Sequence, residues 1–400
     1  MKILGGILLI VGTSIGGALL VLPVTNAPAG LLYSCLTMLA IWLLTLFTSL
    51  LMLEINLWLP ANSHLVSMAK LTLGKTGAII TWICYLLLLY SLLSAYIAGG
   101  ANVVSEFFGL LNFHLSTSLS ATIFTIIFGL IVYKGISAVD HLNRVLMFFK
   151  LSAYLLLVLF IFPHVKFNLL NGGDSHYVAG GIMYIVVSFG FAVIIPSLRS
   201  YFKDNIKQLK LVIIIGTFIP LLCYIVWTLI IMGIIPRTGN DSLMVMLLKN
   251  YQPIDLVFSL ENNLHINNIT NIAHFFISIC ILTAFLGVSL CLVDFLADGL
   301  KIKKNSNQGL FIYALTFIPP LMVTIVEPDA FRISLRYAGI ICVILLILLP
   351  IAMVSSGRYI KSLSSSNYQV FGGKITLSLA SIVAFILLII SIWQIFAPSF

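Results

Sequence analysis

Two apolar runs, about half the chain apart, carry the residues best placed to do chemistry. The first is Gly12-Thr13-Ser14-Ile15-Gly16-Gly17 and the second Ser188-Phe189-Gly190-Phe191; Gly17 precedes Pro23 by six residues, as Gly190 precedes Pro196 by six. Glycine weakens helix continuity and proline removes an amide donor. Within a bilayer an unpaired backbone group costs several kcal/mol, so such breaks persist only where the freed groups face protein or a water-filled cavity. A helix reopening at Ser14 to Gly17 turns free amides and a positive dipole end toward that cavity, which suits a carboxylate. Carbonyls left over at Gly12, Thr13, Ser188 and Phe189 suit an ammonium. Amides and carbonyls together match a zwitterion, an amino acid. Glycines also serve close helix packing, but two breaks at matched spacing are the best sequence pointer to a transporter's midplane site.

Lys150 is the ionisable residue that stands out. It lies six residues beyond Arg144 in an apolar run, roughly 9 Å deeper at 1.5 Å per residue. It either snorkels back to the headgroups or does chemistry inside. Other candidates lie near interfaces: Glu54, Glu106, Asp294 and Asp298 read as solvated or structurally paired, and His274 as a satisfied core residue. No metal-ligand cluster, phosphate-binding loop or nucleophile–base set appears, so enzyme activity has no support and neither cofactor nor metal is expected. The six cysteines all fall inside apolar runs and read as small lipid- or core-facing residues, not as a disulfide framework or metal site.

The elements that must position these groups follow from composition. Of 400 residues 61% are apolar and 8% charged, with mean hydropathy +1.15; no soluble surface is built from that balance. The chain reads as an all-α polytopic membrane protein embedded in a lipid bilayer. At roughly 20 apolar residues per span, eleven spans are expected, near residues 3–26, 30–58, 78–106, 116–133, 145–162, 178–196, 211–234, 270–294, 309–326, 333–355 and 376–396. A long loop from Pro236 to about Asn268 is apolar enough for short helices across the mouth of the bundle. With the N-terminus inside, 16 of the 21 basic residues fall on inner loops and span ends. The excess obeys the positive-inside rule, leaves the C-terminus outside, and makes the net charge of +9 no argument for nucleic acid.

The second break falls 173 residues after the first, so spans one to five (1–165) and six to ten (175–356) form two units of inverted topology, with an eleventh helix over 374–397. Such units place a site at the midplane between them.

Ser188–Asn205 (SFGFAVIIPSLRSYFKDN), Ala284–Leu300 (AFLGVSLCLVDFLADGL), Phe317–Phe331 (FIPPLMVTIVEPDAF) and the opening GTSIGG resemble the hydroxy/aromatic amino acid permeases, tyrosine-specific members above all, across the whole length. The resemblance implies a LeuT-type 5+5 inverted repeat with helices 1 and 6 broken, and proton-coupled uptake of an aromatic amino acid across a bacterial inner membrane. It also implies that span three lines the pocket, with Tyr90 and Ser94 on one face, four residues apart, as substrate contacts. In proton-driven members of the wider superfamily a lysine in span five resembles a replacement for a sodium ion. Lys150 would then touch carbonyls near Gly12 and side chains such as Ser289, loading and releasing a proton. Two departures stand out: Ala192 replaces an expected polar residue, and Ala284 an expected serine or threonine. Sodium coupling, exchange, another neutral substrate such as tryptophan or serine, and a non-transporting sensor or channel remain the competing readings.

Overall fold

The first apolar run folds as two helices, α1 (Lys2–Ser14) and α2 (Gly17–Thr25), bent by 54° across Ile15 and Gly16. The computed structural model describes residues 2–61, 63–249, 251–264, 266–302, 309–327, 329–363 and 368–396; residues 1 and 397, the outer bounds of the expected first unit and eleventh helix, lie outside them. Among the described residues there is no strand.

The remaining helices are α3 (Gly30–Leu57), α4 (Leu65–Leu110), α5 (Thr117–Tyr133), α6 (Ile136–Ile161), α7 (Val178–Ser188), α8 (Ile195–Phe202), α9 (Ile206–Met232), α10 (Leu243–Leu248), α11 (Pro253–Leu264), α12 (Asn267–Leu300), α13 (Gly309–Val326), α14 (Ala330–Cys342), α15 (Leu349–Tyr359) and α16 (Lys374–Phe396). Among the described residues nine helical stretches are long and apolar enough to cross a membrane, and the α1–α2 pair makes a tenth. The apolar helix α5 is shorter, at 17 residues. The molecule is a multi-pass membrane protein.

Two spans are interrupted in ways that hydropathy does not report. α7 and α8 are joined by a 3-10 segment, Gly190–Ile194, so that span runs to Phe202 instead of ending near 196. Pro196, in the first turn of α8, sits where a missing amide costs nothing. α14 and α15 are joined by a π-helical stretch, Val343–Leu348, a distortion common at functional sites. α4 begins well before the expected residue 78, because Gly74 (φ +77°) bends a short preceding helix onto the span. Only glycine adopts that backbone region without strain. The long loop folds as α10 and α11, as its apolar pattern predicts.

α1 packs on α9, α2 on α7, α12 on α6 and α4, and α14 on α4 and α7. The break between α1 and α2 and that between α7 and α8 therefore lie in the middle of the bundle, with α4, α6, α9, α12 and α14 around them. Ile15, Phe189 and Phe191 are fully buried there.

Candidate functional site

Lys150, on α6, reaches the first break. Its Nζ donates to Ile15 O (2.7 Å), Gly12 O (3.3 Å) and Thr283 Oγ1 (3.3 Å), and the residue is 1% exposed. Three N–H donors meet three acceptors, which a buried cation requires. Ile15 and Gly12 lie at the C-terminal end of α1, where the helix dipole is negative. The cation is thus held by helix-end carbonyls and a hydroxyl. The snorkelling geometry is not adopted. Ser289 is not a partner: its buried Oγ has no hydrogen-bond partner. Six residues beyond Thr283 on α12, it lies about 9 Å further along and on a different face, so Thr283 takes the place expected of it. Ala284, beside it, faces the break: a Cβ built on Gly16 would stand 3.7 Å from that of Ala284.

The other residues of the first break divide between two directions. Thr13 is exposed and its hydroxyl bonds back to Leu9 O (2.5 Å). Ser14 is buried with its Oγ unpartnered. Gly16, in extended backbone, precedes the half-helix α2, and no side chain caps its amides. A Cβ on Gly17 would stand 2.8 Å from the ring of Tyr96.

At the second break, Ser188 Oγ bonds back to Tyr184 O (2.7 Å), so the Ser188 carbonyl, not its hydroxyl, is the group turned to α9. Phe189 and Phe191 are 1% exposed, Ala192 is buried, and Gly190 faces Cys342 of α14.

Tyr224 of α9 connects the two breaks. Its hydroxyl lies 2.7 Å from Ser14 O and 2.7 Å from Ser188 O, and the residue is fully buried. The Phe189 ring meets the Tyr224 ring edge-on at 5.2 Å. Sequence reading passed over Tyr224; a tyrosine in mid-span, with a hydroxyl that must find a partner, was the available signal.

Span three contributes differently from expectation. Tyr90 OH donates to Leu315 O of α13 (2.8 Å), and Ser94 Oγ returns to Tyr90 O (2.9 Å). Neither reaches the breaks among these bonds; Tyr96, packed on Gly17, is the α4 residue that does. At about 100° per residue positions 90 and 94 share one helix face, roughly 40° apart, whereas 96 lies about 120–160° from them and faces the first break.

Both ends of the bundle are tied shut around this centre. At the end where α11 lies, Tyr251 OH donates to Leu20 O (2.9 Å), Asn102 to Gln252 (2.8 Å), and His274 meets Glu106 at 2.6 Å. Burial pushes the Asp255 carboxyl up, against the pull of the Gln252 amide it accepts. At the opposite end, Arg199 of α8 donates to Asn56 O, to Leu59 O (2.8 Å) and to Asp204 (2.5 Å). Glu54 and Arg358, 2% and 5% exposed, form a two-pronged pair (2.6 and 2.8 Å), and Glu54 also accepts from Val370 N (2.7 Å). Glu54 and Glu106 are therefore structurally paired, and His274 has a carboxylate partner. Two cavities line residues around Gly172 and around Gly74, away from the breaks.

A carrier architecture with carbonyls and uncapped amides buried between closed ends now has relatives to set beside it. The model of the tryptophan/tyrosine permease family matches residues 1–394. The tyrosine-specific transport system 1 of Haemophilus influenzae is 32% identical over 383 residues, 94% of this chain and 93% of the relative. Glutamine transporter 2 of Aliivibrio fischeri is 32% identical over 398 residues (97% and 98%), and the tyrosine-specific transport system 2 of Haemophilus influenzae 30% over 396 (97% and 96%). Similarity of that extent leaves almost no part of the helical bundle outside the match, both breaks and Lys150 included: the chain belongs to the tryptophan/tyrosine permease family.

Proposed function

We propose that the chain imports an aromatic amino acid, tyrosine first, by proton symport through alternating access. Lys150 carries the reading: its ammonium sits on Gly12 O, Ile15 O and Thr283 Oγ1, so a proton gained or lost there changes what holds the C-terminal end of α1. Substrate carboxylate would meet the uncapped amides of Gly16 and Gly17, and substrate ammonium the carbonyls at Ser14 and Ser188. Tyr96, Phe189 and Phe191 supply aromatic surface beside that point.

Counted with α5, the helices make eleven spans. The first five and the next five then form inverted halves, 1–165 and 175–356, in a LeuT-type arrangement, with the eleventh helix over 374–397. The basic residues support an inner-membrane location with the N-terminus cytoplasmic and the C-terminus outside. No cofactor is needed beyond the proton gradient.

Purified protein in proteoliposomes tests the proposal. Saturable tyrosine uptake driven by an inward proton gradient, and not by sodium, is the expected result. Absence of saturable counterflow for every aromatic amino acid sinks it. Glutamine is the second reading, favoured by the Aliivibrio relative; competition of unlabelled glutamine at least as strong as that of unlabelled tyrosine would establish it.

A further inference from the structure

Tyr224 presents one hydroxyl hydrogen to two carbonyls. Ser14 O ends α1 and Ser188 O ends α7, each 2.7 Å from the hydroxyl oxygen. Both are C-terminal carbonyls of half-helices, so two negative dipole ends converge on one neutral group. A hydroxyl has a single donor; it satisfies one carbonyl fully and leaves the other with acceptor capacity. Beside them Ser14 Oγ is buried and unpartnered. The locus therefore has more acceptors than donors, and its deficit is that of a group with several N–H donors and a positive charge.

The ring is fixed for this task. Phe189 clamps it edge-on. The neighbouring residue on α9 is tied as well, since Tyr154 of α6 donates to Cys223 O (2.9 Å). A hydroxyl held on a fixed frame sets the separation of the two half-helix ends, which no bond along the chain sets.

We propose that Tyr224 is the positioning residue for the ammonium group of the transported amino acid. It holds the Ser14 and Ser188 carbonyls around one point, donates to one of them, and leaves the other for the substrate's N–H. The role rests on the amino-acid carrier reading above and adds to it the residue that makes the two breaks one site.

The test compares tyrosine with its des-amino analogue, 3-(4-hydroxyphenyl)propionate, as competitors for labelled tyrosine in proteoliposomes. The wild type is expected to favour tyrosine strongly. Tyr224→Phe keeps the ring packing and removes the hydroxyl, and is expected to lower that preference about ten-fold, the worth of a hydrogen bond to a charged group. It should do so by weakening tyrosine and leaving the analogue unchanged. Tyr154→Phe removes a hydroxyl on α6 that likewise donates to a backbone carbonyl, that of Cys223 on α9, and should leave the preference intact. Unchanged preference in Tyr224→Phe overturns the proposal, as does an equal loss in Tyr154→Phe. If Tyr224→Phe fails to fold, Tyr224→His, whose shorter ring cannot reach both carbonyls, must show the same loss. If neither folds, the hydroxyl is structural and the proposal falls. Failure of the wild type to bind any aromatic amino acid refutes the carrier reading itself, a separate outcome.

Discussion

Replacing Lys150 by methionine separates coupling from binding. Methionine preserves an unbranched buried side chain and removes the ammonium. Three hydrogen bonds are lost, to Gly12 O, Ile15 O and Thr283 Oγ1, each worth about 1.5–3 kcal/mol when the donor is charged. Against this, a desolvated ammonium no longer has to be accommodated, a term of several kcal/mol of opposite sign. The two nearly cancel, so folded protein is expected. What disappears is the group proposed to carry the proton. In a proton symporter one charge crossing 100 mV supplies about 2.3 kcal/mol, or roughly fifty-fold accumulation. Lys150→Met is expected to equilibrate tyrosine across the membrane, an accumulation of about one-fold, while counterflow of labelled for unlabelled tyrosine continues. Lys150→Arg should fail similarly, because guanidinium does not titrate in the working range. The assay is uptake into proteoliposomes with an imposed inward proton-motive force, run beside counterflow. Accumulation by Lys150→Met at the wild-type level would refute the assignment, whatever its stability.

Three further predictions concern the frame around the site. Breaking the Glu54–Arg358 pair with Glu54→Gln leaves a buried guanidinium against a neutral group and should cost about 3–5 kcal/mol, read as a fall in the midpoint of thermal unfolding; Glu54→Gln with Arg358→Met should recover much of it. Gly339→Ala would drive a methyl to 2.3 Å from the Met183 carbonyl, a backbone atom that cannot rotate away. It should destabilise by about 1–3 kcal/mol and lower the same midpoint. The Asp255 carboxyl is pushed up by burial, so the folded state holds its proton more tightly than the unfolded chain does. Ionising it therefore costs the fold stability as pH rises through its folded pKa. Asp255→Asn, whose side-chain carbonyl still accepts from Gln252 N, should raise the unfolding midpoint at pH 7 and lose that advantage below about pH 4; an advantage independent of pH would refute this sign.

Much of this protein was legible in its sequence, and the reason is the bilayer. A spanning segment must bury every backbone group, so apolar length, glycine–proline interruptions and the side on which basic residues fall are written locally. That was enough to find the all-helical membrane bundle, the break at Ile15 and Gly16, and Lys150 as the ionisable residue that stands out. Whether its ammonium snorkels or turns inward was open until the structure put it on the carbonyls of Gly12 and Ile15, and of the eleven expected spans α5 is only 17 residues long. Partners across the bundle were not local. Ser289 and Thr283 are equally polar and share α12, and only the rotation of that helix against α6 decides which meets Lys150. Tyr90 and Tyr96 share α4, and only its packing against α13 and α2 sends one hydroxyl to Leu315 and the other ring to Gly17. The Tyr224 contact joins residues 36 and 210 positions away, a distance over which sequence spacing carries no geometry. Helix existence is fixed by each segment's own solvation. The faces that helices turn to one another are fixed by how all the side chains pack at once, and that is where the site is made.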